Sequence, residues 1–163
     1  GGRYFTRRNE YLHETHSLTR ALLHGKSSFY PERLLSALAS EIRKTIKVGC
    51  YLTIVPSKPG NWQRMELMLD QLKPFLAGER INFVPGVFKY AKNFETKAQG
   101  GREDRIKVVS QNLCVKRKPI QSSRVIVIDD IITTGATLEV SQRLLVESGV
   151  NDMVFLVLGQ THA

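Results

Sequence analysis

The chain has 163 residues and a formal net charge of +9, with 42% hydrophobic and 24% charged residues. This length suits one domain with a substantial core, and the composition is that of a soluble globular protein. No apolar stretch approaches the roughly 20 residues of a membrane span, and the amino terminus has no apolar signal-peptide core. The two cysteines, Cys50 and Cys114, lack metal-ligand spacing and indicate reduced, buried thiols in a cytoplasmic protein.

Helical and strand patterns alternate in the first half of the chain. The predicted elements are helices over residues 16–24, 31–47 and 62–77 and strands over residues 50–55 and 83–89. Pro31 suits the first turn of the second helix, whose apolar stripe comprises Leu34, Leu35, Leu38, Ile42 and Ile46. Pro74 is expected to bend the third helix and Gly78 to cap it.

The same alternation continues in the second half, after a polar stretch over residues 91–102. The predicted elements are helices over 103–110 and 137–148 and strands over 112–115, 124–129 and 153–158. Alternating strands and helices predict an α/β fold with a doubly wound, mostly parallel sheet and an N-terminal helical segment. We expect a single domain over residues 1–163, with the N-terminal segment at 1–48 and the core at 49–163.

The strongest functional signal is the segment VIVIDDIITTGATL, residues 125–138. Its aliphatic run indicates a strand buried on both faces of a parallel sheet, with Asp129 and Asp130 at the carboxyl end, where such sheets place ligands. The small, hydroxyl-rich turn that leads into the next helix comprises Thr133, Thr134, Gly135, Ala136 and Thr137. Its amides suit a phosphate group. Acids beside a phosphate cradle fit a phosphorylated ribose with Mg²⁺.

This segment closely resembles the phosphoribosyl-pyrophosphate (PRPP) signature of type I phosphoribosyltransferases. The resemblance implies that Asp129 and Asp130 hold the ribose hydroxyls, partly through Mg²⁺, and that the turn holds the 5′-phosphate. It further implies transfer of a 5-phosphoribosyl group from Mg·PRPP to a nitrogen nucleophile, with release of pyrophosphate. The substrates would then be PRPP and an unidentified acceptor, a nitrogenous base, and the cofactor would be Mg²⁺.

Two further segments acquire roles from the resemblance. Family members have a pyrophosphate loop after a strand, and the matching residues here are Ser57, Lys58, Pro59 and Gly60. A cation and close backbone approach, which Lys58 and Gly60 offer, are what a pyrophosphate needs. The family also has a flexible loop that closes over the substrate and supplies basic residues to the leaving pyrophosphate. Residues 95–105 correspond to it, with Gly100 and Gly101 for mobility and Lys97, Arg102 and Arg105 as the candidate cations.

The amino-terminal third is similar to the late-competence protein F (ComF) branch of these enzymes, which is associated with DNA uptake. The similarity rests on Leu22-Leu23 and Gly25-Lys26 before a longer helix, and on residues 96–99 (TKAQ) six residues before Arg105. It spans roughly residues 16–160. ComF-type proteins often begin with a four-cysteine zinc segment, which is absent here. That absence leaves open a shortened chain or another lineage.

Other phosphate motifs fit worse than the PRPP signature. Gly25-Lys26-Ser27 looks like the end of a P-loop, but the first glycine of that motif would fall at Arg20. A haloacid-type phosphatase needs one residue between its two acids, whereas Asp129 and Asp130 are adjacent.

A rival function keeps the fold and the PRPP pocket without catalysis, as a ligand-sensing or scaffold module. Basic residues predominate in segments 1–49 and 89–124, and acidic ones in 125–163. The basic faces suit a pyrophosphate or nucleic acid, although for the charge alone a solvated basic surface is the better explanation. Association into a homo-oligomer is left open.

Overall fold

The computed structural model describes residues 2–4, 30–61, 63–91, 101–119 and 123–161. The strands in these ranges are β1 (Gly2–Tyr4), β2 (Cys50–Ile54), β3 (Ile81–Phe83), β4 (Phe88–Tyr90), β5 (Leu113–Val115), β6 (Val125–Ile132) and β7 (Met153–Thr161). The helices are α1 (Glu32–Thr45), α2 (Arg64–Leu72), a 3₁₀ helix (Lys73–Leu76), α3 (Arg102–Asn112) and α4 (Ala136–Glu147). The helix predicted over residues 16–24 lies outside the described residues.

Five of these strands form a parallel sheet in the order β1-β7-β6-β2-β3, and β4 pairs with β5 in a separate antiparallel ribbon. The central strand β6 lies between β7 and β2. In the strand order, β3 lies next to β2 towards one edge of the sheet, and β7 lies next to β6 towards the opposite edge. The crevice at the carboxyl ends of β2 and β6 is therefore a topological switch point, where open α/β sheets bind their ligands.

Helices cover both faces of the sheet, which confirms the predicted doubly wound architecture. On one face, Ile126 and Ile128 of β6 pack in a cluster with residues of α1 and α2, including Ile42 and Met68. On the other face, Val125 and Val127 pack with residues of α3 and α4, which include Val109, Val140 and Leu145. Successive side chains of a strand point to opposite faces. Both faces of β6 are therefore apolar until the chain reaches the two aspartates.

The four helix predictions that fall within the described residues are confirmed with small shifts of their ends. Helix α1 follows Pro31 and buries Leu35, Leu38 and Ile42 of the predicted stripe. The bend expected at Pro74 takes the form of a change from α-helix to 3₁₀ helix, because proline cannot donate the next α-helical hydrogen bond. Gly78 follows with φ of +87°, a conformation that glycine adopts without strain.

The prediction of one strand over residues 83–89 is wrong. The chain forms two short strands in different sheets, β3 beside β2 and β4 beside β5, separated by a turn at Pro85-Gly86. Proline has no amide proton to continue a ladder, so the turn ends one sheet and the chain enters the other.

Strands β6 and β7 extend beyond their predicted ends at residues 129 and 158. They pair with each other as far as Ile132 and Gln160. Strand β1, which the sequence pattern did not predict, pairs with the last part of β7 through Gly2–Gly159 and the next two residue pairs. These extensions are stabilised by pairing partners that are distant in sequence, so local strand propensity does not predict them.

The prediction of two buried thiols holds for Cys50 only. Cys50 is fully buried, with its Sγ atom 3.8 Å from the carbonyl oxygen of Arg80. Cys114 is an exposed free cysteine, because it alternates along β5 with the buried Leu113. Among the helices of the described residues, none combines the length and the hydropathy required to cross a membrane.

Candidate functional site at the β2–β6 switch point

The site begins where β6 continues beyond the end of its neighbour β2. The β2–β6 ladder ends at the pair Ile54–Ile128, and the Val55 N–H donates to the Ile128 carbonyl at 2.9 Å. Asp129 and Asp130 come next and are 9% and 7% exposed. Adjacent residues of a strand start towards opposite faces of the sheet. The two carboxyls nevertheless remain close enough for a side-chain hydrogen bond between them to contribute to the raised pKa of Asp129. The sequence predicted the position of the two acids, but not that each would have different neighbours.

Backbone amides hold both carboxylates. The Asp130 N–H donates to Asp129 Oδ1 at 2.9 Å, and the Ile131 N–H donates to Asp130 Oδ1 at 2.8 Å. The pKa of Asp129 is raised to about 7, chiefly by burial and secondly by the negative charge of Asp130. Burial therefore favours the neutral form of the Asp129 carboxyl, and a bound cation would favour the carboxylate.

The surroundings of Asp129 lie on the side of α3 and α4. Burial raises the pKa of the Tyr90 phenol, and the charge of Asp129 adds to this effect. A side-chain hydrogen bond with Thr137 acts in the opposite direction on the same pKa. Tyr90 of β4 therefore lies beside both Asp129 and the start of α4, and links an acid of the site to the predicted phosphate loop.

The surroundings of Asp130 lie on the side of α1 and α2. Arg64 Nη2 is 2.5 Å from Asp130 Oδ2, with the two side chains 32% and 9% exposed. The pKa of Tyr30 is raised to about 12, chiefly by burial; the charge of Asp130 also raises it and that of Arg64 lowers it. Tyr30 and Arg64 thus flank this aspartate. Asp130 has a resident cationic partner that the sequence did not predict.

The predicted phosphate loop connects β6 to α4. Thr133, Thr134 and Gly135 form the turn, and Gly135 caps the helix with φ of +76°. The first α-helical hydrogen bond runs from the Glu139 N–H to the Gly135 carbonyl at 3.0 Å. The amides of residues 136–138 precede that bond and face the amino-terminal end of the helix, which favours an anion. A Cβ atom built on Gly135 meets no atom within 4 Å, so the space above the loop is open.

The predicted pyrophosphate loop follows β2 as a tight turn. The Asn61 N–H donates to the Lys58 carbonyl at 3.0 Å, and Gly60 has φ of +80°. Proline at the second position and glycine at the third suit a type II turn. Pro59 and Gly60 thus have a local structural reason for their positions.

This loop is fastened to the start of α2. The Met65 N–H donates to Ser57 Oγ at 3.2 Å, and the Ser57 N–H donates to Glu66 Oε1 at 3.2 Å. The reciprocal pair has the logic of a capping box, with the serine supplied by the preceding loop instead of the residue before the helix. The N-cap residue Gln63 makes no side-chain capping bond, so Ser57 takes its place.

Lys58 connects the pyrophosphate loop with the rest of the site. Burial lowers the pKa of Lys58, and the positive charges of Arg105 and Arg64 lower it further, while Asp129 and Asp130 act to raise it. These effects require the five side chains to lie within electrostatic range of one another. The fold therefore gathers residues from α2, α3, β6 and the loop after β2 around one crevice.

Arg102 occupies a different position from Lys58. Its Nε donates to the Thr134 carbonyl at 3.2 Å, and its Nη2 is 2.5 Å from Glu139 Oε2. Arg102 is thus bonded to the phosphate loop and to α4. Lys97 and Gly100 lie outside the described residues, and Gly101 is the N-cap of α3.

No protein-family model matches the chain, and no curated protein matches it. It is similar to solved structures of a hypoxanthine phosphoribosyltransferase from Staphylococcus aureus (TM-score 0.49, 15% identity, 77% of this chain and 60% of that one). It is also similar to a purine phosphoribosyltransferase from Pyrococcus horikoshii (TM-score 0.45, 16% identity, 79% of this chain and 71% of that one). The chain spans only 60% of the length of the Staphylococcus protein. Its own strand order and helical layers carry the fold assignment.

The sequence pattern did not indicate four residues near the site: Tyr30, Arg64, Tyr90 and Glu139. For Arg64 a signal was present, because a cation at the first residue of a helix opposes the helix dipole and needs another reason to be there. Tyr90 lay at the end of a short predicted strand, and nothing local indicated that its ribbon would reach β6. Such contacts depend on tertiary packing.

The acids are suited to a metal ion that arrives with a ligand. The described residues contain no group of three or more His, Cys, Asp or Glu side chains that could hold a metal ion. Asp129 and Asp130 supply two carboxylates, both backbone-bonded and adjacent to the open phosphate loop. Mg²⁺ is commonly bound by one or two carboxylates together with water and substrate phosphates, so the residues fit Mg²⁺ of that kind.

Proposed function

We propose that this protein transfers a 5-phosphoribosyl group from Mg·PRPP to a nitrogen nucleophile and releases pyrophosphate. The observation that carries the proposal is the meeting of three features at one switch point. They are the buried Asp129–Asp130 pair, the glycine-capped amino terminus of α4, and the Lys58 turn after β2. An anion site, two acids and a second cationic loop together match a ligand with a phosphate, a diol and a pyrophosphate.

The phosphate end of PRPP is assigned to the loop after β6. Amides at the start of α4 and the hydroxyls of Thr133, Thr134 and Thr137 would bind the 5′-phosphate, and Gly135 and Ala136 leave room for it. Holding this group fixes the ribose relative to both acids. Asp129 and Asp130 would accept hydrogen bonds from the ribose hydroxyls.

The pyrophosphate end is assigned to the turn Ser57-Lys58-Pro59-Gly60. Lys58 and Arg105 supply positive charge there, and the bonds of Ser57 to α2 keep the loop in place. Lys97 is proposed as a further cation on the leaving group, and Arg102 as the residue that orders the phosphate loop through Thr134. Positive charges that are already in place around the pyrophosphate stabilise it as it leaves, so the protein does not have to rearrange during the reaction.

Reaction at the anomeric carbon breaks its bond to the pyrophosphate oxygen and forms a bond to the acceptor nitrogen. The centre is electron-poor while the old bond breaks, so nearby carboxylates stabilise it and a fixed ribose phosphate limits its movement. Mg²⁺, held by Asp129 and Asp130 directly or through the ligand, would neutralise charge on the pyrophosphate.

The proposal is tested by PRPP binding and by product release. Wild-type protein is titrated with PRPP in the presence of Mg²⁺ by calorimetry, and pyrophosphate release is then followed with a panel of purine and pyrimidine bases. The double variant D129N/D130N should lose PRPP binding. The variant D152N is the matched control, because Asp152 pairs with Lys47 and Arg124 in a surface ion-pair cluster.

Three outcomes are distinguishable. Release of pyrophosphate with one base supports the transferase and identifies the acceptor. Tight PRPP binding without release across the panel supports the ligand-sensing module instead, and salt-dependent binding of nucleic acid would then give it a partner. Failure of the wild-type protein to bind PRPP overturns both.

A further inference from the structure

The pair Arg64–Asp130 is an unusual feature of the site, because a residue assigned to bind ligand already has a strong partner. The Nη2–Oδ2 separation is 2.5 Å and the aspartate is buried. A buried carboxylate that loses its cation is left with an uncompensated charge, which is strongly unfavourable. Asp130 can therefore release Arg64 only when another cation replaces it.

The position of Arg64 is not explained by helix stability. It is the first residue of α2, where the helix dipole disfavours a positive charge. Its backbone is held, because the next amide, Met65 N–H, is bonded to Ser57 and Glu66 accepts the Ser57 N–H. Any rearrangement of Arg64 is therefore a movement of the side chain above a fixed loop.

The guanidinium also acts electrostatically on Lys58 in the turn after β2. The pKa of Lys58 is lowered by the charges of both Arg64 and Arg105, so three cations converge on the turn after β2. Asp129 and Asp130 offset part of the repulsion among these cations, and a bound anion would offset more of it. Pairing with Asp130 relieves part of this repulsion in the free protein.

We propose that Arg64 is the exchangeable counter-ion of Asp130, bound to that carboxylate in the free protein and to the pyrophosphate group in the complex. A divalent cation replaces Arg64 at Asp130, and the released guanidinium binds the anion. The second half rests on the proposed function, because it takes pyrophosphate as the anion. One consequence is positive coupling: the metal and the anion each remove an obstacle to the other.

The exchange predicts opposite changes in the affinities of one variant, R64Q, for two ligands. With Mn²⁺ as the probe, in the absence of phosphate compounds, R64Q should bind the metal at least about tenfold more tightly than wild type, measured by electron paramagnetic resonance. With inorganic pyrophosphate as the probe and Mg²⁺ at saturating concentration, so that Asp130 has a replacement cation, R64Q should bind about tenfold more weakly, measured by calorimetry. A purely structural role of Arg64 would not produce opposite changes.

Three further variants make the test specific. R43Q is the matched control for net charge, because Arg43 pairs with Glu79 away from the site, and both affinities should equal those of wild type. R64K keeps the charge and should restore part of the pyrophosphate affinity. R64Q/D130N should lose the gain in Mn²⁺ affinity, because the carboxylate that accepts the metal is gone. Thermal unfolding confirms that each variant is folded.

Unchanged or weaker Mn²⁺ binding by folded R64Q overturns the exchange, and so does unchanged pyrophosphate binding. Retention of the Mn²⁺ gain in R64Q/D130N overturns it as well, since the metal would then bind elsewhere. These results are separate from the test of the proposed function, which is PRPP binding by the wild-type protein. Each idea can fail while the other stands.

Discussion

Arg102 Nε donates to the carbonyl oxygen of Thr134 at 3.2 Å, so the first residue of α3 is bonded to the turn between β6 and α4. The same guanidinium is paired with Glu139 of α4. We expect R102A to lower PRPP affinity about tenfold, since the loop would lose the bond that orients its backbone. Calorimetric titration with Mg·PRPP measures the effect. Stability should change by less than about 1 kcal/mol, because the pair is exposed.

The companion variant E139Q separates the two bonds of Arg102. It removes the ion pair with α4 and leaves the Nε bond to Thr134 available. Its loss of PRPP affinity should be clearly smaller than that of R102A. Equal losses would assign the effect to the ion pair and contradict the role given to the Thr134 carbonyl.

Gly135 and Gly78 make a matched pair for testing the phosphate loop. Both have positive φ, +76° and +87°, and a Cβ atom on either meets nothing within 4 Å. G135A and G78A should therefore each lower the free energy of unfolding by about 1 kcal/mol through backbone strain alone. Only G135A should also weaken PRPP binding, because its methyl group enters the open space at the start of α4. Equal PRPP affinities would show that the phosphate binds elsewhere.

The pKa of Asp129 gives the stability of the metal-free protein a defined pH dependence. Its folded-state value of about 7 exceeds the ordinary 3.8, so between these values the folded protein binds more protons than the unfolded chain. The free energy of unfolding should therefore fall as the pH rises through this window. From pH 5 to pH 8 the contribution is about 3 kcal/mol.

Urea denaturation of wild type and D129N at pH 5 and pH 8 measures this contribution. D129N cannot ionise at this position, so it should lose less stability than wild type over the interval and be the more stable protein at pH 8. Asp152 has a lowered pKa because of its bonds to Arg124 and Lys47. D152N therefore serves as the control, and its stability should fall over the interval as that of wild type does. Parallel curves for wild type and D129N would place the titrating group elsewhere.

The sequence predicted the architecture because its signals were local and consistent. The aliphatic run 125–128, the stripe of α1 and the proline and glycine positions each act within a few residues. The phosphate loop and the two acids belonged to one uninterrupted segment, so their proximity was guaranteed by the chain itself. The alternation of strands and helices then sufficed for the doubly wound sheet.

The rest depended on contacts between distant segments. The partners Arg64 and Asp130 are 66 positions apart, by their numbers, and no local pattern joins them. Tyr90 acts on one aspartate and Arg64 pairs with the other, and which acid has which neighbour depends on the fold. Strand β1 and the break at Pro85-Gly86 were missed for the same reason, since pairing partners decided both.

Ser57 offers a direct test of whether the pyrophosphate loop is held in place by α2. S57A removes the acceptor of the Met65 N–H and leaves the Ser57-to-Glu66 backbone bond available. We expect a loss of about 1 kcal/mol in the free energy of unfolding, as for other helix caps, and a severalfold loss of affinity for inorganic pyrophosphate. The binding loss follows because Lys58 would no longer be presented by an ordered turn.

S36A, on the exposed side of α1, is the control for loss of a serine hydroxyl. A variant that loses stability but keeps its pyrophosphate affinity would show that the cap serves the helix alone, and the assignment of residues 57–60 to the ligand would lose its support.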